Sequence, residues 1–255
     1  MKDIHQTVLE VINHIIVQHP HLAPHVESVA ADAQKKSVFD GNLLVTLNQE
    51  LLAKSKSQLR QDVFVLSELK FKRHGFFVEF GATNGVDLSN THLLEKEYGW
   101  QGILAEPARL WHADLIANRQ ARIETKCVWK ATGQSLVFNE AKSPELSTLQ
   151  DFSSSDLHAK AREGGDTYSV ETISLLDLLE KHDAPREIDY LSIDTEGSEF
   201  DILENFDFDK YRIRIVTCEH NYSPMRERLH SLFTKNGYTR KYEQLSQFDD
   251  WYVKP

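Results

Sequence analysis

Phe76-Phe77-Val78-Glu79-Phe80-Gly81-Ala82-Thr83-Asn84-Gly85 is the stretch that decides the fold. Its apolar start suits a strand buried on both faces, and Gly81 and Gly85 let the backbone turn sharply and approach a ligand. Asp87-Leu88-Ser89-Asn90-Thr91, followed by Leu93 and Leu94, restarts a helical pattern, so the turn is expected to open at a helix N-terminus. Strand, glycine turn and helix in that order read as the first unit of a nucleotide-binding α/β fold.

Such a unit serves dinucleotides and S-adenosylmethionine alike, and spacing separates them. A dinucleotide site wants G-x-G-x-x-G, so that a helix N-terminus can meet the pyrophosphate. Here the pattern is Glu79-x-Gly81-x-x-x-Gly85, with Thr83 where the middle glycine is needed. An acid at the end of the strand repels a pyrophosphate but attracts the cationic amino-acid end of S-adenosylmethionine, directly or through water. The next strand, Gly102–Ala105, ends in Glu106-Pro107, and a carboxylate there accepts hydrogen bonds from ribose hydroxyls of either cofactor.

Two further strand ends carry acids. Ile188-Asp189-Tyr190-Leu191-Ser192-Ile193-Asp194-Thr195-Glu196-Gly197-Ser198-Glu199-Phe200 runs from a buried strand into an acidic turn, at the carboxyl end where open α/β sheets bind ligands. Glu196 and Glu199 also suit the first turn of a helix through the macrodipole, whereas Asp194 closes a hydrophobic strand. Thr217-Cys218-Glu219-His220-Asn221 ends the fifth main strand.

The motifs Glu79 to Gly85, Glu106-Pro107 and Ile193-Asp194-Thr195-Glu196-Gly197-Ser198-Glu199 resemble those of FkbM-type methyltransferases, and Ser57 to Phe64 is similar to that family's leading segment. The resemblance runs from about Ser57 to the C-terminus. It implies methyl transfer from S-adenosylmethionine, commonly to a hydroxyl of a sugar or polyketide, on a Rossmann-like sheet of seven strands, mostly parallel with an antiparallel C-terminal strand. Glu79, Gly81, Asn84, Gly85, Glu106, Cys127 and Asp194 are then the cofactor-binding residues, Cys127 lying where adenine contacts usually sit. It also makes the fourth and fifth strands neighbours, bringing Glu219 or His220 near Asp194. Methylating a hydroxyl requires removal of its proton. His220, with an ordinary pKa near about 6.5, could take it; so could Asp194; or Asp194, Glu219 and His220 could hold a divalent metal such as Mg²⁺ that acidifies the hydroxyl. Asp194 ranks first among the catalytic candidates, ahead of Glu219 and His220.

The rest of the chain fits an enzyme of this kind. Its 255 residues, 40% hydrophobic, suffice for a real core, and a formal charge of −10 argues against a nucleic-acid footprint. No run of eighteen apolar residues and no signal-peptide pattern is present, so a soluble cytoplasmic protein is expected. Cys127 and Cys218 show no metal spacing and read as core residues, and His19, His21 and His25 match no zinc pattern. Residues 1–56 read as an N-terminal helical extension and 57–255 as the methyltransferase domain. Helical spacing of apolar residues over 3–18 and from Leu43 to Leu52 predicts amphipathic helices whose exposed stripes suggest a homodimer. Val63 to Phe71 reads as a third helix. Strands are expected at Ile123–Val128 and Ser135–Phe138, and 141–167 as one long loop. The contrary reading is a non-catalytic binding or assembly module that keeps the nucleotide-binding shape; a nicotinamide-dependent oxidoreductase is disfavoured by the missing glycine. The favoured reading is an O-methyltransferase acting on a saccharide or glycosylated acceptor.

Overall fold

A computed structural model describes residues 49–255. The helix expected over 3–18, most of that expected from Leu43 to Leu52, the three histidines and the dimer surface lie outside the described residues.

The apolar run at 76–80 is strand β1 (Phe76–Phe80), buried along its whole length. It lies inside a seven-stranded sheet, next to the middle strand. On one side it pairs in parallel with β2 (Gln101–Ala105), which pairs with β3 (Arg122–Glu124); on the other it pairs with β8 (Glu187–Ile193), then β9 (Arg212–Glu219). Beyond β9 lie β11 (Asp249–Val253), antiparallel to it, and the edge strand β10 (Thr239–Lys241). Alternation along β1 divides the core. Phe76, Val78 and Phe80 join one apolar layer with Leu191, Ile193, Phe200 and Leu203, while Phe77 joins a second with Val63, Phe64, Leu93 and Leu94. Glu79 therefore faces the same layer as Phe77, toward helices α2 (Gln61–Glu68) and α3 (His92–Tyr98). Helix α1 (Gln49–Lys54) adds buried Leu51 to that layer. No helix among the described residues is long and apolar enough to cross a membrane.

The structure departs from the sequence expectation in four places. Helix α3 starts at His92 rather than near Asp87, because residues 81–91 form a loop held by side-chain bonds to Glu79 and Asn84. The strand expected over Ile123–Val128 is two strands. Glu124 Oε1 accepts the N–H groups of Thr125 and Lys126, each at 3.1 Å, and turns the chain out of the large sheet. Residues Cys127–Trp129 then form β4 in a separate four-stranded sheet with β7 (Asp166–Ser174), β5 (Ser135–Glu140) and β6 (Thr148–Leu149). Strand β7 is half exposed and polar, which is why no strand was legible there. The expected long loop thus carries β6, three short 3₁₀ turns and the start of β7. Its anchor is Arg162, fully buried, which binds both carboxylate oxygens of Asp156 at 2.7 and 3.0 Å and the carbonyl of Leu146 at 2.7 Å.

Candidate active site

A pocket opens at the carboxyl ends of β1, β2 and β8, between the large sheet and the 144–149 segment of the small one. Among the described residues its lining carries five carboxyl groups, Glu79, Glu106, Glu145, Asp194 and Glu196, and no Lys, Arg or His. Gly81 shapes its floor. Its φ of +74° suits glycine, and a Cβ there would fall 2.0 Å from the carbonyl oxygen of Asp194. The ends of β1 and β8 can approach this closely only without a side chain.

Glu79 lines the pocket, yet its carboxylate is already occupied. Oε1 accepts the Asn90 N–H at 2.7 Å, Oε2 accepts the hydroxyls of Thr91 and Ser89, and the Arg119 guanidinium lies 3.8 Å away. Arg119 is itself fully buried and donates to Glu95, Thr91, Ser89 and the carbonyl of Gly85. Burial pushes the Glu79 carboxyl up from its ordinary pKa, against Arg119 and these donors. Gly85 is a packing residue, since a Cβ there would meet Arg119 Cγ at 2.6 Å and Leu115 Cδ1 at 2.7 Å. Asn84 closes the turn, its Oδ1 accepting the N–H groups of Val86 and Asp87 at 2.9 Å each. Neither Asn84 nor Gly85 lines the pocket.

Glu106 does present itself to the pocket. Its two oxygens accept one backbone N–H each, from Thr83 and Ala108 at 2.8 Å, which fixes the carboxylate and leaves lone pairs for a ligand. Burial raises its pKa to about 7. Cys127 and Val128 form the apolar wall beside it. Burial holds the Cys127 thiol up at about 12, so this sulfur packs and does not react.

The acidic turn is assembled differently. Glu199 opens helix α4 (Glu199–Leu203), and its Oε1 accepts the Thr195 and Gly197 N–H groups at 2.9 and 3.1 Å, so it caps its own turn. Glu196 sits in the left-handed region at φ +59°, held by Arg162 at 2.6 Å and Asn221 Nδ2 at 3.1 Å, both on Oε2. Burial, then the neighbouring Asp194 charge, raises its pKa to about 9. Half-buried Asp194 shares a hydrogen bond with the Glu219 carboxyl. Burial and the Glu199 charge lift Asp194 to about 7, and Glu219 lies well above the ordinary carboxylate range, chiefly through burial and then Asp194. Both carboxyls of the pair are thus held above the ordinary carboxylate range by burial and by each other's company among acids.

His220 does not join this group. Its Nδ1 accepts the Tyr222 N–H at 3.0 Å, its Nε2 lies 3.7 Å from Asp250 Oδ1, and burial holds its pKa down at about 4. The third acid beside Asp194 and Glu219 is Glu196. This corrects the expected set of Asp194, Glu219 and His220: His220 directly follows Glu219 at the end of β9, so strand alternation turns its imidazole to the opposite face, where Asp250 of β11 meets it. Ser147, which its place in the expected long loop put at the acceptor pocket, does line it, whereas sequence reasoning missed Thr83, Asn90, Ser192, Ser198, Phe138 and Leu149. Asn90 was findable only as a polar residue inside an apolar helix pattern; it accepts from Ser57 at 2.6 Å and donates to Ser192 at 2.9 Å. Gln61 reaches Asp249 and Asp62 reaches Ser55, so neither touches the pocket.

Residues 79–251 match the methyltransferase FkbM domain family. Among curated proteins none matches the chain. Similar solved structures include methyltransferase FkbM from Methylobacillus flagellatus KT, at 11% identity and TM-score 0.45, covering 90% of this chain and 61% of that one. A second, assigned as a sarcosine dimethylglycine methyltransferase from Galdieria sulphuraria, shows 11% identity and TM-score 0.28, covering 72% and 63% respectively. The chain thus spans less than two thirds of either structure's length.

Proposed function

The chain belongs to the FkbM methyltransferase domain family, and on that premise we propose that it transfers the methyl group of S-adenosylmethionine to a hydroxyl oxygen of a saccharide or glycosylated acceptor. One observation carries the cofactor assignment: among the described residues, five carboxyl groups and no basic side chain line the pocket. Such a lining disfavours a pyrophosphate and favours a ligand bearing a sulfonium and an ammonium. The residues fit the group, because Gly81 leaves the pocket floor without a side chain and Glu106 faces it with free lone pairs.

When bound, S-adenosylmethionine supplies an electrophilic methyl group. Glu106 accepts the ribose hydroxyls, and Cys127, Val128 and Phe138 shield the adenine from water. Asp194 takes the acceptor's hydroxyl proton on its carboxylate, and its raised pKa of about 7 suits a base working near neutrality. Glu79 holds the 89–91 loop, so that Asn90, rather than the carboxylate itself, meets the amino-acid end. Glu145 and Ser147, in the turn that leads into β6, face the acceptor and offer it a carboxylate and a hydroxyl oxygen as acceptors for sugar hydroxyls.

Titration calorimetry with S-adenosylmethionine, S-adenosylhomocysteine and NADH tests this reading. Micromolar binding of both adenosyl ligands and none of NADH is expected, followed by labelled-methyl transfer to a panel of sugars. A folded protein that binds neither adenosyl ligand is instead a non-catalytic module.

A further inference from the structure

One oxygen each of Asp194, Glu196 and Glu219 lies within 4.8 Å of the others. Among the described residues the cation that pairs with this group is Arg162, and its guanidinium already serves Glu196, both oxygens of Asp156 and the carbonyl of Leu146. Among the described residues no Lys, Arg or His nitrogen pairs with Asp194 or Glu219. Glu219 is only 6% exposed, and its Oε2 is buried without any hydrogen-bond partner. A buried acid in that condition needs a proton or a metal. Glu219 ends β9 and Asp194 follows β8, its parallel neighbour, so the sheet register directs both carboxyls to one spot. Asp194 and Glu196 open that spot to the pocket.

We propose that Asp194, Glu196 and Glu219 bind one divalent cation of the hard, oxygen-seeking class, Mg²⁺ or Mn²⁺, at the pocket wall. The proposal rests on the methyltransferase reading for its purpose but not for its geometry. An all-carboxylate donor set without Cys or His favours hard cations over Zn²⁺ and Cu⁺, whose sites draw on imidazole and thiolate. Three protein ligands on one side leave positions for water and for the acceptor hydroxyl. One Asp194 oxygen would hold the ion and the other would accept the hydroxyl proton, the lower basicity of a cation-bound carboxylate being offset by the greater acidity the ion would give the hydroxyl. The arrangement also accounts for Arg162: by pairing with Glu196 and Asp156 it limits the excess negative charge that the three acids would hold in the absence of the ion.

The test is a Mn²⁺ titration of the EDTA-treated full chain, followed by electron paramagnetic resonance, with Mg²⁺ as competitor and S-adenosylhomocysteine binding measured on the same protein. One Mn²⁺ per chain, displaced by Mg²⁺, is expected. Glu219→Gln, which keeps a hydrogen-bonding partner for Asp194, should weaken it by about tenfold or more through loss of ligand charge. Because Glu219 is buried, half-buried Asp194→Asn serves as the second variant, with the same expectation. Failure to bind Mn²⁺ at millimolar concentration, or binding unchanged in both folded variants, overturns the proposal and means that the shared proton alone neutralises the acids. S-adenosylhomocysteine binding without Mn²⁺ binding overturns the cation and leaves the methyltransferase reading; Mn²⁺ binding without S-adenosylhomocysteine binding does the reverse.

Discussion

Glu79 and Asp194 stand at the carboxyl ends of adjacent parallel strands, each followed by a glycine-containing turn, and the structure gives them opposite tasks. Glu79 ends among donors: a backbone N–H, two hydroxyls and the Arg119 guanidinium surround it. Asp194 ends among acids, with the Glu219 carboxyl as its hydrogen-bonding partner and Glu196 and Glu199 beside it. The first environment holds a charge in place; the second leaves a group able to exchange a proton or bind a cation. A strand-end acid in this fold is thus a staple or a reagent according to how many donors its neighbours bring.

The largest effect should come from Asp194→Asn, which removes the proposed base: methyl transfer is expected to fall by about 10²–10⁴-fold while S-adenosylhomocysteine still binds. Near-normal turnover would erase the distinction between the two acids. Glu79→Ala should act mainly on the fold, since it withdraws a partner from buried Arg119; urea unfolding is expected to show a loss of about 3 kcal/mol. A variant as stable as the parent would mean that Arg119 needs only Glu95. Glu106→Ala sharpens the contrast from a third strand end, with S-adenosylhomocysteine affinity in calorimetry dropping by about 10- to 100-fold as hydrogen bonds to a carboxylate are lost.

The two environments also differ in how they respond to pH. The Asp194 carboxyl has its pKa raised in the folded state, from an ordinary 3.8 to about 7. Between those values the folded protein holds a proton that the unfolded chain has released, so its contribution to stability is greatest below about 4 and is lost as pH rises to about 7. Melting curves of metal-free protein should show the parent losing stability relative to Asp194→Asn across that window, and parallel curves would contradict the assignment. The smallest effect is expected for His220→Gln. Turnover should change by less than about threefold, against the hundredfold or more that loss of a general base costs.

Much of the frame was legible from local pattern. The run Phe76–Phe80 and the stretch before Asp194 are apolar enough to be buried strands, and both became central ones. Glu106-Pro107 marked the end of β2 for the same reason, and its carboxylate does face the pocket. Residues 166–174 were not legible, because a half-exposed strand of Asp, Thr, Ser and Glu has neither an apolar run nor a clean alternation. Arg162 was equally hidden. A single arginine in a polar stretch reads as surface until the fold places Asp156 and Glu196 around it.

What the sequence determined by itself was where strands end in acids and where glycine is required, since chain stiffness, hydrophobic run length and backbone strain are properties of a few consecutive residues. Which acid is neutralised and which is left reactive was decided only by tertiary structure. Glu79 draws its donors from Ser89, Asn90, Thr91 and Arg119, Asp194 meets Glu219 from the next strand, and His220 turns away toward Asp250. Charge and hydrogen bonding act over a few ångströms of space, and residues far apart in the chain occupy that space only once the sheet has formed.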